Sequence, residues 1–545
     1  MPKMGYGLTV GGLPALRVAF DKATDLVNEP ASSVGKFKFD SLNGTKLSYV
    51  YDIYLQGYDS RYDAGGSSRY YCFYNHNFDL VVSNNYDDFR TAGAGVFWNQ
   101  AGQGQQTIYY WQNWWNFGFM PIMEQRSRFN MPANTFQGAR VIYQFFSGLD
   151  GQYGLVESYA AYDGRTAVLA SGNVGTTIQW REAYQYQTQS SNNSSITRVS
   201  SMLTTFQLPL RNDPLPDFSA APVSGQQALL LTPTTARLAL PGRTVSDPDV
   251  DHYTFHEDKI PAKIMAAGDI NVGGTGTVDI LCPLPLTPYT YMDFHVRKQA
   301  DAEFWHPPFY NGVSSNGNYA FTYFVDIPNQ KITITNGTGT PLVVRYVIHA
   351  DAEVAPTTGG KKVFYKGNDG TQDFIQIKRP GSSDLAPNLN DIIVDTRLAY
   401  LPILAQGFLN WPGDFPTVIS GSERYKGERM ASIAINNPSP KLKLFCKQIV
   451  CFDPLSSPVA ARSGYHRVFA DNTGGWIGRA SCESSWARIY ADETGVDFYM
   501  SGDNPQNVMD GGAASYVKKM TGNSSSVQVS ALGLRYYIFG IPQSL

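Results

Sequence analysis

Alternation of apolar and polar residues with a period of two recurs along most of the chain. Residues 47–55, 277–281, 374–378 and 534–539 are clear examples, and runs of this kind are bounded by Gly, Asn, Asp or Pro. This period is typical of β-strands, because successive side chains point to opposite faces of a sheet. No run longer than about a dozen residues keeps helical spacing without a Gly or Pro nearby. The pattern predicts an all-β chain with few, short helices.

Two turn signals predict hairpins between neighbouring strands. Asn43-Gly44 stands between an alternating segment that begins at Phe37 and the strand at 47–55. The run Asn336-Gly337-Thr338-Gly339 stands between strands at 331–335 and 342–348. Asn-Gly and similar pairs favour the tight turns of two-stranded ribbons.

Prolines divide the predicted strands into groups. Seven prolines lie between Pro209 and Pro248, where they remove backbone donors and favour extended conformations over sheet ladders. We therefore expect several β-sandwich-like domains in series. The predicted parts are an aromatic-rich N-terminal β region over 1–210, a Pro-rich linker over 211–248, a second β-sandwich domain over 249–355, a third β domain over 356–455 and a C-terminal β domain over 456–545.

Composition changes this picture in one respect, the nature of the surface. Charged residues make up 16% of the chain, with 43 Lys and Arg against 46 Asp and Glu, while Tyr, Phe and Trp number 34, 30 and 9. The chain has no basic surplus for a phosphate backbone, so we expect no nucleic-acid partner. Scarce charge and abundant rings predict a homo-oligomer, most simply a trimer, because a monomer would expose much ring surface.

Cysteines and the first residues bear on the compartment. Five cysteines, odd in number and widely spaced, favour reduced thiols over a disulfide framework. The start of the sequence lacks the apolar core of a signal peptide, and no stretch approaches the roughly 18 apolar residues of a membrane span. We expect a protein made in the cytoplasm, without membrane insertion.

The densest aromatic segment is the candidate binding feature. On a strand, Tyr110, Trp114 and Asn116 share one face of residues 109–119, where rings could stack on sugars while amides bond hydroxyl groups. Aromatic residues more often lie in a buried core or a subunit interface, and the same segment fits either of these. The three residues are therefore candidates for a ligand platform, with both alternatives open.

Catalytic and metal-binding motifs are weak. The sequence has no G-x-S-x-G elbow, no phosphate-binding P-loop and no G-x-G-x-x-G turn between strand and helix. Carboxylates from Asp247 to Asp258 follow the offsets of a calcium loop, but His252 stands where the turn needs Gly. Cys446 and Cys451 lack a second Cys or His pair for zinc. We expect no catalytic residue, no metal and no cofactor.

Short phrases of the sequence resemble structural proteins of tailed-bacteriophage tail tips. They are Tyr6-Gly7-Leu8-Thr9-Val10, residues 374–384 with Asp395-Thr396-Arg397 and 400–404, and the ending 534–540. The resemblance implies a non-enzymatic virion protein of the tail tip, baseplate or a tail fibre, made in the host cytoplasm. It also implies partners among the other tail proteins and contact with a glycan or protein receptor on the host.

Three other functions stay open from the sequence. They are a carbohydrate-binding protein, a polysaccharide-degrading tailspike and a capsid or decoration protein. A β-helical depolymerase should show short regular repeats, and none is visible; the echo of Tyr6-Gly7-Leu8 in Tyr153-Gly154-Leu155 is too short to establish a repeat. A basic arm would favour a shell protein, yet residues 1–17 hold two basic residues.

Overall fold

The fold is all-β, as the alternation predicts. The structure, a computed structural model, describes residues 3–30, 32–43, 48–55, 71–75, 78–83, 93–98, 103–110, 119–129, 135–137, 167–169, 178–185, 199–209, 227–249, 252–258, 261–287, 290, 292–306, 321–337, 339–350, 357–419, 428–437, 440–452, 461–463, 485–500, 531–543 and 545. Within these residues there is no α-helix, and the 3-10 helices are Val34–Lys36, Ser41–Asn43 and Leu389–Asp391. The strands belong to several separate sheets, which confirms the predicted fold class.

The strands fall into three repeats of similar topology. The first repeat, residues 3–209, contains β1 Lys3–Leu8, β2 Pro14–Ala19, β3 Phe37–Asp40, β4 Ser48–Leu55, β5 Tyr71–Asn75, β6 Phe78–Ser83, β7 Gly93–Trp98, β8 Gln103–Tyr110, β9 Phe119–Phe129, β10 Thr135–Gln137, β11 Ala167–Leu169, β12 Ile178–Gln185 and β13 Val199–Pro209. The second repeat, residues 227–350, contains β14 Leu229–Thr232, β15 Thr235–Ala239, β16 Tyr253–Phe255, β17 Lys263–Val272, β18 Thr277–Leu281, β19 Met292–Lys298, β20 Phe304–His306, β21 Phe321–Asp326, β22 Lys331–Asn336 and β23 Leu342–Ala350.

The third repeat, residues 357–541, ends the chain's regular structure. It contains β24 Phe364–Asn368, β25 Asp373–Lys378, β26 Ile392–Asp395, β27 Ile403–Asn410, β28 Thr417–Val418, β29 Arg429–Ala434, β30 Lys443–Phe452, β31 Ala461–Ser463, β32 Ser485–Ile489, β33 Gly495–Met500 and β34 Ala531–Ile541.

Each repeat begins with a three-stranded antiparallel sheet, which we call its hub unit. The hub units have the orders β1-β2-β3, β14-β15-β16 and β24-β25-β26. In each unit the pairing of the second and third strands slips by one residue at the same place, so that Lys38, Thr254 and Ile393 are the extra residues. Such a slip is a β-bulge, which bends the strand locally. The shared bulge fixes which residues of the three units are equivalent.

The strands after each hub unit form two further sheets, which we call the sandwich of that repeat. In one sheet the last strand of the repeat lies between the first sandwich strand and a middle one. The orders are β4-β13-β9, β17-β23-β19 and β27-β34-β30. The other sheet contains β11-β12-β8, β21-β22-β18 and β32-β33-β29. The first strand carries a bulge at equivalent positions, Val50, Met265 and Leu404. The three sandwiches therefore share one topology.

Short strands connect the sandwiches in a cycle. Strand β10 of the first repeat pairs with β21 of the second, and β20 of the second pairs with β32 of the third. Strand β31 of the third repeat lies against β11 of the first. In each repeat the short strand that follows β9, β19 or β30 contacts the next repeat. The strand that it contacts always belongs to the second of the two sandwich sheets. This arrangement gives one chain a threefold internal order.

Three sequence-based expectations need correction. The predicted hairpins are absent, because β3 pairs with β2 rather than β4, while β22 and β23 lie in different sheets. Part of the expected Pro-rich linker forms a ladder between β14 and β15, since Pro233 occupies the turn, where no donor is needed. The expected boundary at 455/456 divides one sandwich, because β34 inserts between β27 and β30.

Candidate functional site: the interfaces between repeats

The three hub units pack around a common apolar core. Its centre consists of equivalent buried positions from the second and third strands, which are Val18, Leu238, Ile377, Phe39, Phe255 and Val394. The ring of Phe39 lies 6.5 Å from that of Phe255 and meets Tyr400 edge-on at 5.2 Å. A three-stranded sheet alone cannot cover its apolar face, so each unit depends on the other two.

Backbone hydrogen bonds join the hub units to one another. The amide of Ile264 donates to the carbonyl of Ala399 at 2.8 Å, and the amide of Ala399 donates back at 3.0 Å. The amide of Tyr400 donates to the carbonyl of Lys38 at 2.9 Å. These bonds fasten the segment that leaves the third unit to the exit of the second unit and to the last strand of the first.

Tyr400 fixes the exit of the third hub unit from inside the core. Its hydroxyl donates to the carbonyl of Ile393 at 3.0 Å and accepts from the amide of Asp395 at 2.9 Å. Burial raises the pKa of Tyr400 well above its ordinary value, and the charge of Asp395 adds to this effect. The hydroxyl therefore stays neutral and acts as a structural link, since it never becomes a base near neutral pH.

Buried charges connect the sandwiches of the second and third repeats. The Arg345 guanidinium on β23 contacts Asp269 at 2.8 and 3.1 Å and Glu493 at 2.6 and 3.0 Å. It also donates to the Leu444 carbonyl at 2.8 Å and stacks 4.2 Å from the ring of Phe304. Burial alone lowers the pKa of Arg345, but the hydrogen bonds and charge of the two carboxylates outweigh it and raise the pKa. Arg345 thus stays charged and binds both repeats.

A second buried ion pair lies beside the first. Lys447 on β30 of the third repeat donates to Asp293 on β19 of the second, and both side chains are almost completely buried. Next to them the imidazole of His295 stacks on the ring of Phe445, with centroids 4.0 Å apart. The two ion pairs and the stacked rings form one contact surface, which we call the seam between the second and third repeats.

Aromatic residues surround the strand junction of the same two repeats. Trp305 on β20 lies 5.5 Å from the ring of Tyr499 on β33 and packs against Trp486 on β32. Arg488 pairs with Glu303 across the junction at 3.4 Å, and its guanidinium lies 5.9 Å from the Trp305 ring. The junction therefore combines ladder bonds with ring packing.

Two thiols of the second and third repeats are buried. Burial raises the pKa of the Cys446 thiol far above its ordinary value and that of Cys282 to about 12, so neither is a thiolate nucleophile near neutral pH. In the part of the chain that the structure describes, no group of three or more His, Cys, Asp or Glu residues could hold a metal ion. The buried pairs of Arg345 with Glu493 and of Lys447 with Asp293 join the second and third repeats, where they specify how the two fit together.

Of the three aromatic-segment candidates, Tyr110 alone lies among the described residues. Tyr110 is the last residue of β8, where its backbone pairs with Ile178 of β12. Trp114 and Asn116 lie outside the described residues. The ligand platform therefore stays a prediction.

The carboxylate-rich segment that resembles a calcium loop is used within the second hub unit. Asp247 accepts from the amide of Asp249 at 3.0 Å and lies 2.9 Å from Nδ1 of His252. Glu257 bonds the guanidinium of Arg237 at 2.5 and 2.8 Å and the amide of Ala236. These contacts give two of the acidic side chains local roles in the loop and in the ladder.

Sequence reasoning missed the seam, although one signal for it was present. Arg345-Tyr346 and Arg535-Tyr536 occupy equivalent positions on β23 and β34, as the registers beside the strand bulges show. A search for matching dipeptides in matching strands could have found the repeat. The carboxylates Asp269, Glu493 and Asp293 form no motif, because they lie far in sequence from the basic residues that they pair with.

Comparison with family models, curated proteins and solved structures gave no match in any of the three. A search of the described helices for one both long and apolar enough to cross a membrane also found none.

Proposed function

We propose that this chain is a non-enzymatic structural protein of a bacteriophage tail, built into the tail tip, the baseplate or an appendage. It helps to assemble the distal tail and contributes to host attachment. Its partners are other copies of the chain, other tail proteins and a receptor on the host surface, glycan or protein. It is made in the host cytoplasm and ends in the virion.

The cyclic linkage of the three repeats carries this proposal. Strand β10 of the first repeat joins a sheet of the second, β20 of the second joins a sheet of the third, and β31 of the third lies against β11 of the first. These links favour a rigid body over a set of mobile domains, because separation would expose unpaired ladder groups and apolar surface. A rigid body with threefold internal order suits a position near the axis of a symmetric particle. The short segments that resemble tail-tip proteins favour a bacteriophage tail as that particle.

The buried ion pairs support a structural role from a different side. Arg345 and Lys447 pair with carboxylates of the neighbouring repeat, and their burial prevents contact with a substrate. Catalytic groups need access to a ligand and a pKa matched to their task. Both side chains are about 2% exposed and pair with carboxylates of the neighbouring repeat instead.

Antibody labelling of the parent particle tests the location. Fab fragments raised against the purified chain should bind at the distal end of the tail in electron micrographs. Label spread over the shell would replace the proposal with a capsid or decoration protein. Absence of label, together with absence of the chain from purified particles in mass spectrometry, would remove the virion assignment.

A separate assay tests the absence of enzymatic activity. The purified chain is incubated with surface polysaccharide from the host, and new reducing ends are measured over hours. No release above the buffer rate is expected. Release that scales with chain concentration would favour a polysaccharide-degrading tailspike.

A further inference from the structure

Strand β1 is an edge of the first hub unit, and it exposes apolar side chains. Strand β2 covers one side of β1, and no other strand of the described chain pairs with it. Tyr6 is 48% exposed and Leu8 64% exposed, and Val10 just beyond the strand is 72% exposed. An open strand edge with apolar side chains is a template for pairing with another chain.

The equivalent edges of the other hub units serve as internal comparisons. By register, the position of Tyr6 on β1 corresponds to Lys366 on β24 and to Leu231 on β14. Lysine is one of the residues that natural proteins place on edges to prevent pairing, and Leu231 is more buried than Tyr6. At the position of Tyr6, therefore, the first repeat has an exposed apolar side chain where the third has a lysine and the second a less exposed leucine.

The exposed face of β1 continues the hub interface between the repeats. Tyr6 stands opposite Leu16 and Met4 opposite Val18 in the ladder, so these four side chains share one face. Leu16 and Val18 are buried in the hub core, and Met4 packs against it. The apolar surface that joins the repeats thus extends past Met4 into solvent at Tyr6.

The sequence of β1 matches itself when it is read in reverse. Residues 4–8 read Met-Gly-Tyr-Gly-Leu, so antiparallel pairing centred on Tyr6 places Tyr6 against Tyr6 of a second copy. Met4 then meets Leu8 on the same face, and Gly5 meets Gly7 on the other face. Apolar residues thus meet apolar residues and glycines meet glycines, and each contact occurs twice, as in any twofold interface.

Gly7 adds an independent observation. A Cβ atom built on Gly7 would meet no atom within 4 Å, and its backbone is outside the left-handed region. Neither crowding inside the chain nor backbone conformation therefore explains the glycine. Glycine inside a strand often marks a bulge, a bend, or a place where a ligand or another backbone approaches closely, and the ladder of β1 with β2 has no bulge.

We propose that β1 pairs antiparallel with β1 of a second copy across a twofold axis at Tyr6. The two hub units then form one continuous six-stranded sheet, in which Met4, Tyr6 and Leu8 of one β1 become the cross-strand neighbours of Leu8, Tyr6 and Met4 of the other. This pairing does not depend on the proposed tail function. It produces a dimer where the sequence predicts a homotrimer, and the threefold order of the structure lies within one chain.

Disulfide trapping tests the register of the pairing. Opposed residues of an antiparallel pair have Cα atoms about 4.5 or 5.5 Å apart, within disulfide range. Tyr6→Cys should therefore form covalent dimers under mild oxidation about tenfold faster than Phe364→Cys, because local concentration at the axis is high. Phe364, 52% exposed on the edge strand β24, is the matched control. Equal rates for both variants, after subtraction of the parent chain's own rate, would overturn the proposal.

Light scattering tests the pairing without cross-links. The parent chain should approach twice its mass of 60.2 kDa as concentration rises. Tyr6→Lys should weaken this association by at least about tenfold, since two like charges would meet at the axis, and Phe364→Lys should leave it unchanged. Circular dichroism melts verify that both exposed variants remain folded. A parent that stays at one chain mass, a parent that settles at three, or a Tyr6→Lys variant that dimerises normally would each refute the proposal.

Discussion

The hub and the seam join the same second and third repeats by opposite means. At the hub, Leu238 and Ile377 are equivalent residues that meet in an apolar core. At the seam, Arg345 and Lys447 meet carboxylates from the other repeat. Apolar packing is tolerant of direction, whereas a buried ion pair accepts one partner geometry. The hub therefore holds the repeats together, and the seam specifies how the neighbouring sandwiches face each other.

Equivalent residues make this difference visible within one molecule. Arg345 and Arg535 occupy the same position of the same strand, and both are buried. Arg345 bonds Asp269 and Glu493, whereas Arg535 donates to the hydroxyl of Tyr537 at 3.1 Å. The sandwiches of the second and third repeats therefore share a topology and a buried arginine at this position, and Arg345 uses it to reach a carboxylate of the next repeat.

The largest effect is expected from breaking the seam. Arg345→Ala leaves Asp269 and Glu493 without their buried partner and removes the contact with the Phe304 ring. We expect the free energy of unfolding to fall by about 3 to 5 kcal/mol, as for other broken buried pairs, measured by urea denaturation. The control is Lys331→Ala, which removes a partly exposed pair with Asp279 and should lower the free energy of unfolding far less, because water screens an exposed pair. Similar losses for both variants would contradict a special role for the seam.

Cavities in the hub should lower the free energy of unfolding, and the loss should be similar in each repeat. Leu238→Ala and Ile377→Ala each remove a large buried side chain at equivalent positions, so each should cost about 2 to 5 kcal/mol. Leu385→Ala, at a position 92% exposed, should change stability by less than about 0.5 kcal/mol. If one hub variant were as mild as Leu385→Ala, the hub would not be a common core.

Replacing a whole ion pair sharpens the contrast between stability and specificity. Lys447→Met alone should cost about 3 kcal/mol, because Asp293 loses its buried partner. Adding Asp293→Leu should return stability to within about 1 kcal/mol of the parent, since apolar residues can replace a buried pair. Denaturation of the single and double variants forms the measurement. A double variant no more stable than Lys447→Met would show that the pair itself supplies net stability.

The smallest effect concerns pH and the surface loops of the hub units. Amide donors at Lys361 and Lys362, followed by Lys378, lower the pKa of Asp384 from 3.8 to about 2. A depressed folded pKa stabilises the fold above the unfolded value and loses that contribution as pH falls toward 2. The thermal midpoint should therefore drop between pH 5 and pH 3. Asp384→Asn should flatten this slope, and an unchanged slope would contradict a role for this carboxylate.

Strand positions could be predicted to within a few residues, and strand partners could not. The segment predicted at 277–281 is β18, and that at 374–378 lies within β25. The predicted turn at Asn336-Gly337 lies between β22 and β23, which enter different sheets. Alternation reports that one face of a strand is buried, but it carries no information on which other strand lies beside it.

The seam illustrates the same limit for a functional contact. Arg345 can be recognised from sequence as an Arg within an apolar strand, which already suggests a buried partner. Its partner Glu493 lies 148 residues away in a loop before β33. No spacing rule connects two such residues, so the pairing exists only once both repeats are folded.

The sequence by itself determined the all-β class, the positions of several strands and the scarcity of long helices, because these depend on local periodicity and on Gly and Pro. Tertiary structure decided the threefold repeat, the shared hub and the pairing of strands between neighbouring repeats. The repeats diverge so far in sequence that few matching phrases remain, while the bulges at Lys38, Thr254 and Ile393 persist in the backbone. Register and bulges are set by long-range pairing of strands, which leaves almost no trace in the order of side chains.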